Sequence, residues 1–159
     1  MSLDETVLQK LADWRPARGS RQTLAVPDEG SGWAVSMTVD RHDELSSSLW
    51  EINVQRVAPA PGGVTLQSWA RGLAGRVTGL LEPLRVVEID AQRNEALLRS
   101  QEPTRRGADV FYYEILLKGI QAATFRRYQG NPGGGHREQV VFVLTHEALA
   151  KLVGDVAAD

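Results

Sequence analysis

The stretch Asp109-Val110-Phe111-Tyr112-Tyr113-Glu114-Ile115-Leu116-Leu117-Lys118-Gly119-Ile120-Gln121-Ala122-Ala123-Thr124-Phe125-Arg126-Arg127-Tyr128 decides the fold. Both halves are rich in aromatic and β-favouring side chains, and Gly119 between them permits positive φ. The pattern predicts a hairpin. A two-residue loop at Lys118-Gly119 pairs Leu117 with Ile120, Ile115 with Ala122, Tyr113 with Thr124 and Phe111 with Arg126. Side chains alternate along a strand, so those residues share one mostly apolar face that meets the core. Leu116, Glu114, Ala123, Tyr112, Phe125, Val110 and Arg127 share a second, mixed face. Glu114 reads there as half of a surface ion pair, worth at most about 1 kcal/mol.

Upstream of the hairpin, Val7, Leu8, Leu11 and Trp14 fall at helical spacing, and Pro16 ends that helix. Residues 20–26 read as a strand stopped before Pro27. Residues 33–40 alternate Trp33, Val35, Met37 and Val39 against Ala34, Ser36 and Thr38, the signature of a half-buried strand. Residues 41–48 are polar and turn-like. In the strand over 49–57, Trp50, Ile52 and Val54 oppose Glu51, Asn53 and Gln55. Residues 58–63, with Pro59, Pro61, Gly62 and Gly63, form a loop. The spacing of Leu66, Trp69, Ala70, Leu73, Ala74, Val77, Leu80 and Leu81 predicts an amphipathic helix over 64–81, stopped by Pro83. Residues 84–90 and 95–101 make another hairpin, and 102–107 a charged loop. After the central hairpin, residues 129–135 are a flexible connection, and 138–144 are the last strand. Thr145 N-caps a final helix over 146–156, with Glu147 near its positive end. Consecutive hairpins interleaved with helices imply an α+β domain, with an antiparallel sheet of about six to eight strands and helices mainly on one face.

A chain of 159 residues reads as one domain with enough length for a real core. A net charge of −2 offers no global field to attract nucleic acid or anionic membrane. The absence of cysteine excludes disulfides, thiolate nucleophiles and cysteine metal sites. The start, Met1-Ser2-Leu3-Asp4-Glu5, lacks the apolar core of a signal peptide, and no run approaches the roughly 20 apolar residues of a membrane span. The expectation is a cytoplasmic protein with no membrane insertion.

Sites for chemistry are sparse. His42, in Arg41-His42-Asp43-Glu44, reads as part of a solvated turn, because metal sites usually draw ligands from several places. His146, in the first turn of the last helix, and His136, after the glycines, read as surface residues. Gly133-Gly134-Gly135 precedes a strand and lacks the Lys-Ser or Lys-Thr of a phosphate loop. Arg126, Arg127 and Arg137 read as solvated arginines rather than an anion patch. No serine stands in a Gly-x-Ser-x-Gly context. The sequence therefore suggests no catalytic, cofactor-binding or metal-binding residue, and a non-enzymatic protein is expected.

The helix over 64–81 carries an oddity. At 3.6 residues per turn, Ser68, Gly72, Gly75 and Gly79 cluster opposite its apolar stripe. Each interior glycine costs about 1 kcal/mol relative to alanine, so a smooth face is an expensive feature. It would let another backbone approach closely. Two readings stand side by side: a docking groove for a partner helix or a second copy, and a weak helix packed against the chain's own elements.

From residue 49 onward the order of elements resembles the PsbP-like, or DcrB-like, fold superfamily, which includes effector-associated chaperones of type VI secretion. The likeness rests on Leu49-Trp50-Glu51-Ile52-Asn53-Val54-Gln55-Arg56, the Pro61-Gly62 loop, and the helix around Leu66, Trp69, Leu73 and Leu80. It continues through the hairpin over 84–101, Tyr112-Tyr113-Glu114-Ile115, Gly119, and Val140-Val141-Phe142-Val143-Leu144-Thr145 running into a helix. Members of this group are mostly non-catalytic binding proteins, so the resemblance implies a binding role and supplies no catalytic residue. The leading expectation is a chaperone- or adaptor-like protein-binding module of a bacterial cytoplasm. Its contacts would be Ser68, Gly72, Gly75, Gly79, Tyr112 and Phe125. The alternatives are a small-molecule binder or enzyme with a pocket lined by Tyr112, Tyr113, Trp50 and Trp69, and a self-associating protein that forms a homodimer.

Overall fold

The computed structural model describes residues 1–131, 133 and 135–158. In chain order the elements are α1 (Leu3–Asp13), β1 (Gln22–Val26), β2 (Trp33–His42), β3 (Ser46–Arg56), α2 (Leu66–Arg76), β4 (Leu84–Asp90), β5 (Glu95–Ser100), β6 (Thr104–Arg106), β7 (Asp109–Lys118), β8 (Ala122–Gly130), β9 (Arg137–Val140), β10 (Phe142–Thr145) and α3 (His146–Ala157). The fold is α+β, with an antiparallel sheet of ten strands, more than expected. Its main path runs β1-β2-β3-β8-β7-β5-β4, and β6, β9 and β10 pair with β7, β8 and β3. The core lies between the sheet and the helices. Val7 and Leu11 of α1, Trp69 and Leu73 of α2, and Leu149, Leu152 and Val153 of α3 are buried there over Met37, Ile52, Val54, Leu98, Ile115 and Phe125.

The central hairpin exists, but its register is shifted. Lys118 pairs with Ala122, Ile115 with Phe125 and Tyr113 with Arg127. The loop therefore holds three residues, Gly119, Ile120 and Gln121, with Gly119 at φ 54° and Gln121 N–H donating to Lys118 O at 3.2 Å. An odd shift in the register sum turns every side chain of one strand to its other face. Tyr113, Ile115 and Leu117 face the core as expected. On β8 the core residues are Ala123, Phe125 and Arg127, not Ala122, Thr124 and Arg126.

The expected turn over 41–48 is mostly strand, because β2 runs on to His42 and β3 starts at Ser46. The register slips twice there, around Thr38–Val39 and Val39–Arg41, leaving Trp50 and Asp40 without partners in the ladder. Such bulges change the phase of alternation. Ser47 and Leu49 face the core before the bulge, and Ile52 and Val54 after it. Trp50 is thus not on the face of Ile52 and Val54; it lies half-buried beneath the Arg21 guanidinium, 3.9 Å from the ring centroid.

The long helix ends early. α2 stops at Arg76, and Val77 takes φ −79° and ψ 97° while its N–H still reaches Leu73 O at 2.9 Å. Gly72 and Gly75 weaken the last turns, and Gly79 lies beyond them in the irregular chain before β4. Val77 and Leu80 keep their place in the core without helical geometry, and Leu81 is turned outward at 66% exposure.

The last strand divides at Val141. β9 pairs with β8 (Arg127↔Val140), and β10 pairs with β3 (Phe142↔Leu49). β8 meets β3 through its first half, Ala122–Phe125, and β9 through its second. The sheet therefore forks between β3 and β8, and the turn at Val141 sits in the crotch. β9 and β10 line the two arms, and among the described residues no strand pairs with the edges they turn toward each other. The connection expected over 129–135 includes the end of β8. Pro132 and Gly134 lie outside the described residues.

Candidate functional site

Two concave sites flank β10. The first is a groove of about 560 Å³ at the fork. One wall is Gly79-Leu80-Leu81, the irregular, bent chain after α2. The other is Val140-Val141-Phe142-Val143-Leu144, and Arg106, Phe111, Tyr113 and Arg127 complete it. Its rim is apolar and open: Leu81 is 66% exposed and Val143 62%. Residue 82, which fixes the first wall, is a glutamate at 5% exposure. Arg127 Nη1 and Nη2 donate to Glu82 Oε1 and Oε2 at 3.0 and 3.1 Å. The hydroxyls of Ser100 and Thr104 donate to the same two oxygens, each at 2.7 Å. Burial alone would raise the Glu82 carboxyl, but these four donors outweigh it and hold the group below the usual carboxylate range. The guanidinium also lies over the Tyr113 ring at 4.3 Å. A charged bolt thus holds the segment after α2 against β8. Arg106, stacked 5.4 Å from the Phe111 centroid, has no carboxylate partner among the described residues.

The second site is a cavity of about 500 Å³ at the far end of β2. Gln22↔Val39 is the last pair of β1 with β2, so Asp40, Arg41 and His42 run on without a neighbour on that side. The chain between α1 and β1 arches past this edge. Trp14, Arg18 and Ser20 line one side, and Arg41, His42, Ser46 and Ser48 the other. Behind it lies a cluster that corrects two expectations. His42 is half-buried rather than solvated, and His146 is buried rather than at the surface. Their rings stack at 4.9 Å and 13°, and Trp14 leans on His42 at 5.0 Å. His42 Nε2 lies 3.0 Å from Leu11 O, a pure acceptor, so Nε2 carries the proton. Nδ1 then accepts from the Ser47 hydroxyl at 2.8 Å, and Ser47 Oγ lies 3.5 Å from His146 Nε2. One chain of polar contacts joins α1, β2, β3 and α3. Burial, and next the neighbouring His146, push His42 below the usual histidine value.

A serine within 2.8 Å of an imidazole has the spacing of a nucleophile and its base. Here the serine is 1% exposed and the other imidazole nitrogen faces a carbonyl, not a carboxylate. The arrangement welds elements together. Among the described residues no three His, Asp or Glu side chains are placed to hold a metal ion.

The six residues singled out in the sequence do not converge. Ser68 caps α2: its Oγ accepts from Thr65 N–H at 2.9 Å, and its N–H donates to Thr65 Oγ1 at 3.0 Å. The Arg76 guanidinium covers Gly72, where an added Cβ would clash with its tip, whereas nothing lies within 4 Å of such a position at Gly75. Gly79 lines the groove. Phe125 is sealed in the core at 1% exposure. Tyr112 is on the opposite face of the sheet, where its hydroxyl accepts from Arg137 Nη1 at 3.3 Å and its ring packs on Tyr128. On that face Glu114 is buried and accepts from Arg99 Nε at 2.9 Å and Arg137 Nη1 at 2.8 Å, so it is no surface pair. Of Tyr112, Tyr113, Trp50 and Trp69, only Tyr113 lines the groove. Arg126, Arg127 and Arg137 each face a carboxylate, on Glu51, Glu82 and Glu114. His136 is exposed, as expected.

The histidine cluster and the Glu82–Arg127 bolt were not visible as sites in sequence. Their members come from distant segments, and the only local hint was a Glu just before Pro83 at the end of an apolar stripe. The chain matches no protein-family model, no curated protein and no solved structure.

Proposed function

We propose that the protein is a non-enzymatic binding module, chaperone- or adaptor-like, that holds an extended apolar segment of a partner protein in the groove at the fork. The observation that carries the reading is the pairing of an open apolar groove with unpaired strand edges in one place. Exposed apolar surface is costly to keep and marks interaction sites. An unpaired edge offers alternate N–H and C=O groups to an added strand. A segment laid along Val141–Leu144 gains main-chain hydrogen bonds from the edge, and its alternate side chains enter the groove beside Leu81, Phe111 and Tyr113. Arg106 at the rim favours a segment with an acidic residue or a C-terminal carboxylate at that end. The resemblance to PsbP-like proteins, whose members mostly bind rather than catalyse, agrees with this reading, and the setting we propose for it is a bacterial cytoplasm.

Display of a random peptide library tests it. The expected result is enrichment of peptides with alternating apolar residues, and loss of their binding in Leu81→Asp and Val143→Asp. Both positions are exposed, so both variants should keep the wild-type unfolding midpoint. Selected peptides that bind those variants as well as wild type would refute the groove.

A further inference from the structure

The cavity at the end of β2 meets the peptide groove only at Val143, and the rest of its lining is of different chemistry. Its volume, about 500 Å³, is that of a small-molecule site rather than of a surface dimple. Trp14 supplies an aromatic wall. It is half-buried, and its ring is tilted against His42 at 5.0 Å. Ser20, Ser46 and Ser48 add hydroxyls.

The charges are unevenly committed. Asp40 is gripped by Arg21 through two contacts. Asp43 Oδ1 accepts the backbone N–H groups of Leu45 and Ser46, each at 2.8 Å. The two acids of the lining are thus occupied, whereas Arg18 and Arg41 have no carboxylate partner among the described residues. A guanidinium presents a planar fork suited to phosphate or carboxylate oxygens. Two such forks line the same cavity as an indole ring and three serines, a set of groups that suits a ligand with a flat ring, a hydroxylated middle and an anionic end.

We propose that this cavity binds a free nucleoside monophosphate, its base against Trp14, its sugar among the serine hydroxyls and its phosphate between Arg18 and Arg41. The base gains from the aromatic face and the phosphate from two charge-assisted contacts. The site is formed by the loop after α1 and the overhang of β2, so its occupation ties α1 to the sheet at the place where His42 already holds Leu11.

The test titrates adenosine 5′-monophosphate into the full chain by isothermal calorimetry, with adenosine and inorganic phosphate as separate titrants. The expected result is saturable binding of the monophosphate, with adenosine and phosphate each weaker by about tenfold or more. Arg18→Gln and Arg41→Gln, both at exposed positions, should each weaken the monophosphate by about tenfold without moving the unfolding midpoint. Trp14→Leu should weaken it while leaving phosphate binding unchanged. No saturable binding at millimolar monophosphate overturns the proposal, as does equal binding by the two arginine variants and wild type.

Discussion

Replacing Glu82 with alanine leaves the Arg127 guanidinium, at 7% exposure, without a counter-charge. The carboxylate now receives two guanidinium and two hydroxyl hydrogen bonds. Ser100 Oγ in turn accepts the Tyr113 N–H at 2.8 Å, so the network reaches the backbone of β7. Breaking one partner of a buried pair costs about 3–5 kcal/mol, chiefly the penalty of the stranded charge. A domain of this size holds about 5–15 kcal/mol in total, so the variant should fold with a much reduced margin. With a urea m-value of about 2 kcal/mol/M, the midpoint should fall by about 1.5–2.5 M. Glu82→Leu with Arg127→Met removes both charges from the site, and the double variant should cost less than either single change. Equilibrium urea unfolding followed by tryptophan fluorescence reads wild type, Glu82→Ala, Glu82→Leu, Arg127→Met and the double variant. A cost below about 1 kcal/mol for Glu82→Ala, or a double variant equal to the sum of the singles, would refute the claim that the pair bolts the groove wall to the sheet.

The stacked histidines predict a pH dependence. His42 titrates lower in the fold than in the unfolded chain, where the value is near about 6.5, so between those values the unfolded chain binds more protons. Stability should therefore fall as pH drops from about 7 through the folded value, and urea midpoints of His42→Gln should show a shallower slope in that window. Identical slopes in the two proteins would count against the cluster as the source. Gly75→Ala, at an exposed helical position with open space, should raise stability by about 0.5–1 kcal/mol in thermal unfolding. Gly119→Ala should lower it, because that residue sits at φ 54° with Asn94 Nδ2 only 2.9 Å from the added carbon.

Much of the fold was legible because its cues are local. Alternation along 33–39 located the body of β2, and the apolar stripes located α1 and α3. Thr145 accepts from Ala148 N–H at 3.1 Å, as an N-cap should. What failed depends on geometry between segments. A three-residue loop in place of two turned Phe125 from an expected contact into a core residue. The bulge at Trp50 reset the alternation of β3, which no periodicity count can foresee. The apolar stripe over 64–81 continued past the point where glycine-weakened turns ended the helix, because the non-helical chain after it also buries Val77 and Leu80. His42 and His146 look unremarkable apart; only the antiparallel pairing of β10 with β3 brings the start of α3 beside Ser47.

The divided strand has a consequence for biosynthesis. β3 and β8 both leave the ribosome before the segment that lines the fork between them and covers their facing edges, and α3 follows that segment directly. Until β9 and β10 arrive, two sheet arms stand open with bare edges and an uncovered core face, a state prone to edge-to-edge association. The nascent chain is therefore at its most vulnerable just before its last strands emerge. Ribosome stalling before residue 137 should give far more aggregate than stalling after α3 has cleared the exit tunnel.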